Sequence, residues 1–191
     1  MFDNCDYIKN TAYIDLRKEF SLLQKDYGLN ILYIRTNKFI RCSCYDNLSR
    51  VGDPSCKKCF GKGYLYCIEP IKAIKSSADY GQDGLLGTTF GLIPTDSSIF
   101  CMDYTVQPKR NDIILICKYN EQNIPVEVSE VYQIQNPAPT NGDNGRIEFY
   151  YSMCKLRQDK FQQMNKMIKT LDRKAKIYLS KGKRYVCQIQ N

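Results

Sequence analysis

The hydrophobic pattern opens with a helical period, shifts to a strand period for most of the chain, and returns to a helical period near the end. In residues 11–27, Ile14, Phe20 and Leu22 or Leu23 recur at helical spacing, with Lys18, Glu19, Lys25 and Asp26 between them. This predicts an amphipathic helix packed on a core, and Gly28 is placed to stop it. Residues 29–35 are β-rich (Ile31, Tyr33, Ile34) and the chain stays extended through Phe39 and Ile40. It is β-rich again at Tyr64, Leu65, Tyr66, Cys67 and Ile68, and then over 71–74. The two stretches read as the arms of a hairpin, about 29–41 and 63–75.

Residues 76–87, with Gly81, Gly84 and Gly87, read as a surface loop. They lack the Gly-Lys-Ser/Thr ending of a phosphate loop. From 88 to 155, short strands alternate with turn signals: 90–93, 99–105, 113–118, 125–134 and 146–153, with a connection over 107–112 and a turn over 120–123. Residues 113–118 are apolar on both faces, the mark of a central buried strand. In 125–134, Val126, Val128, Tyr132 and Ile134 share one parity, but Glu130 shares it too while Val131 does not, which predicts a bulge or a solvent-facing end. Residues 137–145, rich in Pro, Asn and Gly, read as a loop. In 146–153, Ile147, Phe149, Tyr151 and Met153 share one side. About five antiparallel strands at this spacing make a small barrel or sandwich. Residues 158–174 return to helical period, with Phe161, Met164, Ile168 and Leu171 as the stripe and Lys160, Lys166, Lys169 and Arg173 around it. Ile177 to Leu179 and Tyr185 to Ile189 flank Ser180-Lys-Gly182-Lys and read as a hairpin or extended arm.

The fold class is therefore mainly β (α+β). It is a small antiparallel β-barrel or sandwich with an N-terminal helix, a metal-bearing hairpin and a C-terminal helix plus extended arm. The segments are 1–35 (helix and first strand), 36–67 (hairpin tip), 68–154 (barrel) and 155–191 (basic helix and arm).

Candidate chemistry gathers at the hairpin tip. Cys42-Ser-Cys44 is followed, after eleven intervening residues, by Cys56-Lys-Lys-Cys59-Phe-Gly61-Lys-Gly63. Two close cysteine pairs can supply four thiolates to one tetrahedral zinc. The chain has no His, so a zinc site here is all-thiolate or uses a carboxylate. Gly61 and Gly63 allow positive φ and bring N–H groups toward the sulfurs, and Asp46-Asn47 and Gly52-Asp53-Pro54 are turn formers. A structural zinc on Cys42, Cys44, Cys56 and Cys59 is the expected cofactor. Four protein thiolates leave no open position for catalysis, and the upstream pair argues against a lone redox dithiol.

Without His, the commonest general base is missing. No nucleophile-elbow, Walker or dinucleotide signature is present, so no catalytic residues are assigned and the chain is not expected to be an enzyme. No run of eighteen apolar residues occurs, and the acidic, polar start Met-Phe-Asp-Asn-Cys-Asp does not read as a secretory signal. The ten cysteines are then expected to stay reduced. Cys67, Cys101, Cys117 and Cys154 read as small hydrophobes in strands, and Cys5 and Cys187 lie near the termini without an assignment.

The formal charge of +8 is uneven. Residues 155–191 hold eleven Lys or Arg against two Asp, a net +9, so the rest of the chain carries −1. Such an arm suits nucleic acid or an acidic protein surface. Its apolar stripe needs burial while its charge suits a near-neutral body poorly, so docking on a neighbouring subunit is the expectation, with a helix folded back on its own barrel as the alternative.

Two segments carry a family resemblance. CSCYDNLSRVGDPSCKKCFGKGYL resembles the CxC…CxxCxGxG segments of tailed-bacteriophage structural proteins. VQPKRNDIILICKYNEQNIPVEVSEVYQIQNPAP, an Asp, an apolar strand, a turn, an alternating strand and Asn-Pro, is similar to the small β-barrels of phage head–tail connector (neck) proteins. Together they cover about 42–138. CxxCxGxG also occurs in the zinc domain of the J-domain cochaperones, where it is repeated four times. The connector resemblance implies a non-enzymatic virion component, made in the bacterial host cytoplasm. It implies a homo-oligomeric ring between portal and tail, contacting portal or adaptor and tail proteins, with DNA passing through the lumen as a further candidate partner. Two other readings stay open: a nucleic-acid-binding zinc ribbon, supported by Arg41, Arg50, Lys57, Lys58 and Lys62 with Tyr45 and Phe60 as the nearby aromatics, and a cochaperone-like zinc module.

Overall fold

The computed structural model describes residues 14–56, 59, 63–77, 96–142 and 145–186, without the side chains of 36–39. The expected strand at 90–93, nearly all of the 76–87 loop, Gly61, and Cys5 and Cys187 lie outside the described residues.

Helix α1 (Leu16–Tyr27) leads into β1 (Leu29–Arg41), β2 (Tyr64–Ser77), β3 (Ser97–Asp103), β4 (Ile113–Tyr119), β5 (Pro125–Asn141) and β6 (Ile147–Leu156). A 3₁₀ turn (Gln158–Lys160) precedes α2 (Phe161–Thr170), α3 (Arg173–Ser180) and the short β7 (Tyr185–Val186). The strands pair antiparallel in the order β1-β4-β5-β6-β3-β2, and β2 pairs back to β1, closing a six-stranded barrel. β7 adds to β2 opposite Cys67 and Ile68. The arms of the metal hairpin are thus two staves of the barrel.

Alternation divides the buried residues into two layers. Ile31 and Tyr33 of β1 meet Ala73, Phe100, Met102, Ile114, Tyr132, Ile134 and Cys154 inside the barrel. Leu32 and Ile34 point the other way and meet Ile68, Leu115, Val128 and Val131 beneath the C-terminal helices. β4 is buried on both faces, as its apolar run predicts. The expected irregularity in β5 is a register shift: Ile116 faces Glu130 but Cys117 faces Val128. The extra residue turns Val128 and Val131 outward to the helices while Tyr132 and Ile134 enter the barrel.

Four expectations need correction. The 137–145 loop is strand as far as Asn141. There β5 pairs, among the described residues, with β6 alone, its pairing with β4 having ended at Gln133, so Pro137 and Pro139 sit at a stretch paired on one edge, where proline is tolerated. In β6 the buried parity is Glu148, Ser152 and Cys154, not Ile147, Phe149, Tyr151 and Met153. α1 buries only Phe20 and leaves Ile14, Leu22 and Leu23 exposed.

The fourth correction concerns the arm. Its stripe is buried on the chain's own barrel: Met164, Met167, Ile168 and Leu179 join the outer layer, with Phe161 and Leu171 packed beside them. The side-chain oxygen of Asn165 also accepts from the Val128 N–H at 3.2 Å, tying α2 to the bulged strand. The helical stretch breaks at Asp172, whose extended backbone and bond from the Ala175 N–H (2.7 Å) start α3. Ile177 to Leu179 are therefore helical rather than part of a hairpin.

α1 lies on the other side. Phe20 stacks on Phe149 with ring centroids 4.7 Å apart, and Arg17 sits 3.8 Å over the Tyr104 ring while donating to the Ile147 carbonyl at 3.0 Å. Phe20→Ala removes the helix's one buried anchor and is expected to cost about 3 kcal/mol, read as a lower urea midpoint with an unchanged slope.

Candidate metal centre

The hairpin of β1 and β2 runs past the barrel wall. β4 pairs with β1 only from Ile31 to Ile34, whereas β2 follows β1 as far as Arg41, opposite Tyr64, across a register shift. At the end of this ribbon the four predicted cysteines come together. Their sulfurs all lie within 4.8 Å of one another, with Cys42 and Cys59 buried and Cys44 and Cys56 half-buried. Cys44 Sγ is 3.2 Å from Cys59 Sγ and Cys42 Sγ is 3.7 Å from Cys56 Sγ. A tetrahedral ion with bonds of about 2.3 Å would hold its sulfurs roughly 3.8 Å apart, just above these two separations and inside the 4.8 Å limit on all of them. The four cysteines form no disulfide and can hold a metal ion.

The local chain builds the cradle from backbone. The Cys42 N–H donates to the Gly63 carbonyl at 2.8 Å, the Tyr45 N–H to the Cys42 carbonyl, and the Cys56 N–H to the Asp53 carbonyl. Asp46 accepts from the N–H groups of Leu48 and Ser49, and Asp53 from that of Ser55. The Gly63 N–H donates to Cys59 Sγ at 3.3 Å, a dipole aimed at a thiolate. Two glycines are sterically required: Gly63 has φ +73°, and a Cβ on Gly52 would stand 2.4 Å from the Gly63 nitrogen. Tyr45 and Tyr64 close one side with centroids 5.2 Å apart.

Without an ion, Cys44 and Cys59 hold their protons. Burial, and then bonding to Cys59 and Cys56, pushes the Cys44 thiol up to about 12, and burial raises Cys59 as well. Thiolates this close together require a positive partner; a metal ion supplies it and displaces the protons.

Gly63→Ala would strain the left-handed backbone and set its Cβ 2.6 Å from Tyr45 Cδ2. A cost of about 2 kcal/mol is expected, so metal retention against a competing chelator should weaken by more than about tenfold.

The other strand cysteines sit where the pattern placed them. Cys67, Cys117 and Cys154 are buried and Cys101 is half-buried. Burial pushes Cys67 up to about 11 and Cys117 up to about 12, so these are packing residues and poor nucleophiles.

Polar pairs at the barrel ends, among them the buried Tyr33, Asp112 and Glu69, carry no signal in the sequence pattern. At one end of the barrel Tyr33 donates to Asp112, Arg35 Nε is 3.3 Å from Glu69, and Arg184 Nε is 3.0 Å from the same carboxylate. At the other end Lys75 meets Glu130 at 2.6 Å. Burial raises both Tyr33 and Asp112. Nothing in the period-2 pattern separates such pairs from exposed charges; register alone brings Tyr33 opposite Glu69 and Arg35 opposite Cys67.

Fold and site together define a small closed antiparallel β-barrel bearing a projecting four-cysteine hairpin. No family model matches the chain, and no curated protein matches its sequence. No helix among the described residues is long and apolar enough to cross a membrane.

Proposed function

We propose that the chain is a non-enzymatic structural subunit of a tailed-phage neck. In this reading it forms a homo-oligomeric ring between portal and tail, and one structural zinc on Cys42, Cys44, Cys56 and Cys59 stiffens its hairpin. The subunit would be made in the bacterial host cytoplasm and carried in the virion, where it meets portal or adaptor and tail proteins.

The observation that supports this is the hairpin. It extends past the barrel wall, is closed at its end by four sulfurs, and presents Leu48 and Val51, 95% and 56% exposed. Apolar residues held outward on a projection fit contact with a neighbouring subunit, and head-to-tail contacts of this kind form a ring when the rotation between subunits closes. The donor set fits zinc, since an all-thiolate tetrahedron selects zinc or iron.

The zinc-ribbon reading draws less on the described residues, since Lys57, Lys58, Phe60 and Lys62 lie outside them. Arg41 is held by Asn47 (2.9 Å) and lies over the Tyr45 ring, so it is occupied within the hairpin. Native mass measurement of particles from virions or of the purified protein tests the proposal. A ring mass with one zinc per chain is expected. A monomer at all concentrations that also fails to join purified portal or tail components would overturn it.

A further inference from the structure

We infer that the outer side of α2 and α3, with the turn that follows α3, is a binding surface for the phosphate backbone of duplex nucleic acid. This goes beyond the neck assignment and does not rest on it. The inner side of the two helices is spent: Met164, Met167, Ile168, Ala175 and Leu179 are buried, all but Ala175 of them within the outer layer of the barrel. What remains outward is cationic. Lys166, Arg173, Lys174, Lys181 and Lys183 are exposed, and none of the ion pairs among the described residues includes them.

The two carboxylates of this segment are already engaged. Asp159 is bound by Arg157 at 2.6 Å and Asp172 caps α3. Lys166, Arg173 and Lys174 thus stand on the two helices and Lys181 and Lys183 just past the end of α3, with Asp172 as the one carboxylate next to them in the chain.

The partner's class follows from what the surface lacks. A protein interface needs a desolvated apolar centre to bind well. Among the described residues of α2 and α3, Tyr178 alone is an exposed large hydrophobic, 50% accessible, and Lys183 stands 5.9 Å above its ring. Nucleic acid asks for no apolar centre: phosphates along a duplex are met by point charges, and binding is driven by release of counterions.

Fluorescence anisotropy with a labelled 20-base-pair duplex of arbitrary sequence tests the inference, on the full-length protein across a salt series. Five phosphates neutralised predict a log–log slope of about −4.5. Replacing the five residues with Gln should flatten the slope to near zero with an unchanged circular dichroism spectrum, whereas Arg41→Gln with Arg50→Gln should leave it in place. No binding at low salt would overturn the inference, as would binding insensitive to the five substitutions. Competition by poly-glutamate as effective as by unlabelled duplex would overturn the nucleic-acid assignment. Ring assembly is read separately by mass, so a ring that ignores DNA sinks only this surface, and a DNA-binding monomer sinks only the neck reading.

Discussion

Cys56→Ser is expected to empty the metal centre and melt the hairpin end while the barrel stays folded. Native protein should carry one zinc per chain by elemental analysis, with Zn–S scattering near about 2.3 Å; the variant should carry close to none. Three thiolates and a hydroxyl bind far more weakly, and in small zinc peptides metal binding supplies roughly 10–16 kcal/mol of folding free energy. The damage stays local because the buried layer at the site, Cys42, Cys59 and Leu65, is separate from both layers of the barrel. Hydrogen exchange should therefore show lost protection at the amides of Cys42, Tyr45 and Asp46, which bond within the hairpin, and retained protection along β4 and β5. The melting temperature should fall, and a chelator should reproduce the effect in the native protein. Unchanged metal content and melting temperature in Cys56→Ser would remove the case for a metal site.

The site was legible in the sequence because ligand spacing is a local property. Cys42, Cys44, Cys56 and Cys59 span one hairpin, and the glycine expected to turn the chain toward the sulfurs, Gly63, does so at φ +73°. The barrel was legible as a class, and the parity conflict around Glu130 announced the bulge between Val128 and Val131. Facing was harder. Ile147, Phe149, Tyr151 and Met153 look like an inner face, yet α1 covers part of the outer wall, so Phe149 pairs with Phe20 while the lumen accepts Cys154 and Ser152. A strand covered on both sides gives no periodic clue to which side is inside. The arm misled for a related reason. Its charge suggested an acidic partner, but charge on the outer side of a helix says nothing about what its apolar side covers. The apolar face that Leu32, Ile34, Leu115 and Val128 would otherwise present to water becomes visible as a docking site only once strand register is known.

Truncation after Cys154 is accordingly expected to unfold the protein, not to free an arm from a stable body. The cut removes Met164, Met167, Ile168 and Leu179 from the outer layer, together with Phe161, Leu171 and Tyr185 at its margin. Burying one large apolar side chain contributes about 1.5–3 kcal/mol, so the four fully buried residues alone approach the roughly 5–15 kcal/mol that stabilises a whole domain. The loss is compounded on the barrel side, where Leu32, Ile34, Leu115, Val128 and Val131 would form one continuous exposed apolar patch, an aggregation hazard. The Val128 N–H would also lose its Asn165 partner. The truncated chain should be insoluble, or soluble without a cooperative thermal transition. Ile168→Ala provides the graded test: at 0% exposure it should cost about 2–5 kcal/mol and lower the urea midpoint of the full-length protein without changing its oligomeric mass. A truncated protein that melts cooperatively at the native temperature, or an Ile168→Ala variant of unchanged stability that no longer assembles, would return the stripe to a neighbouring subunit and overturn its place in the core.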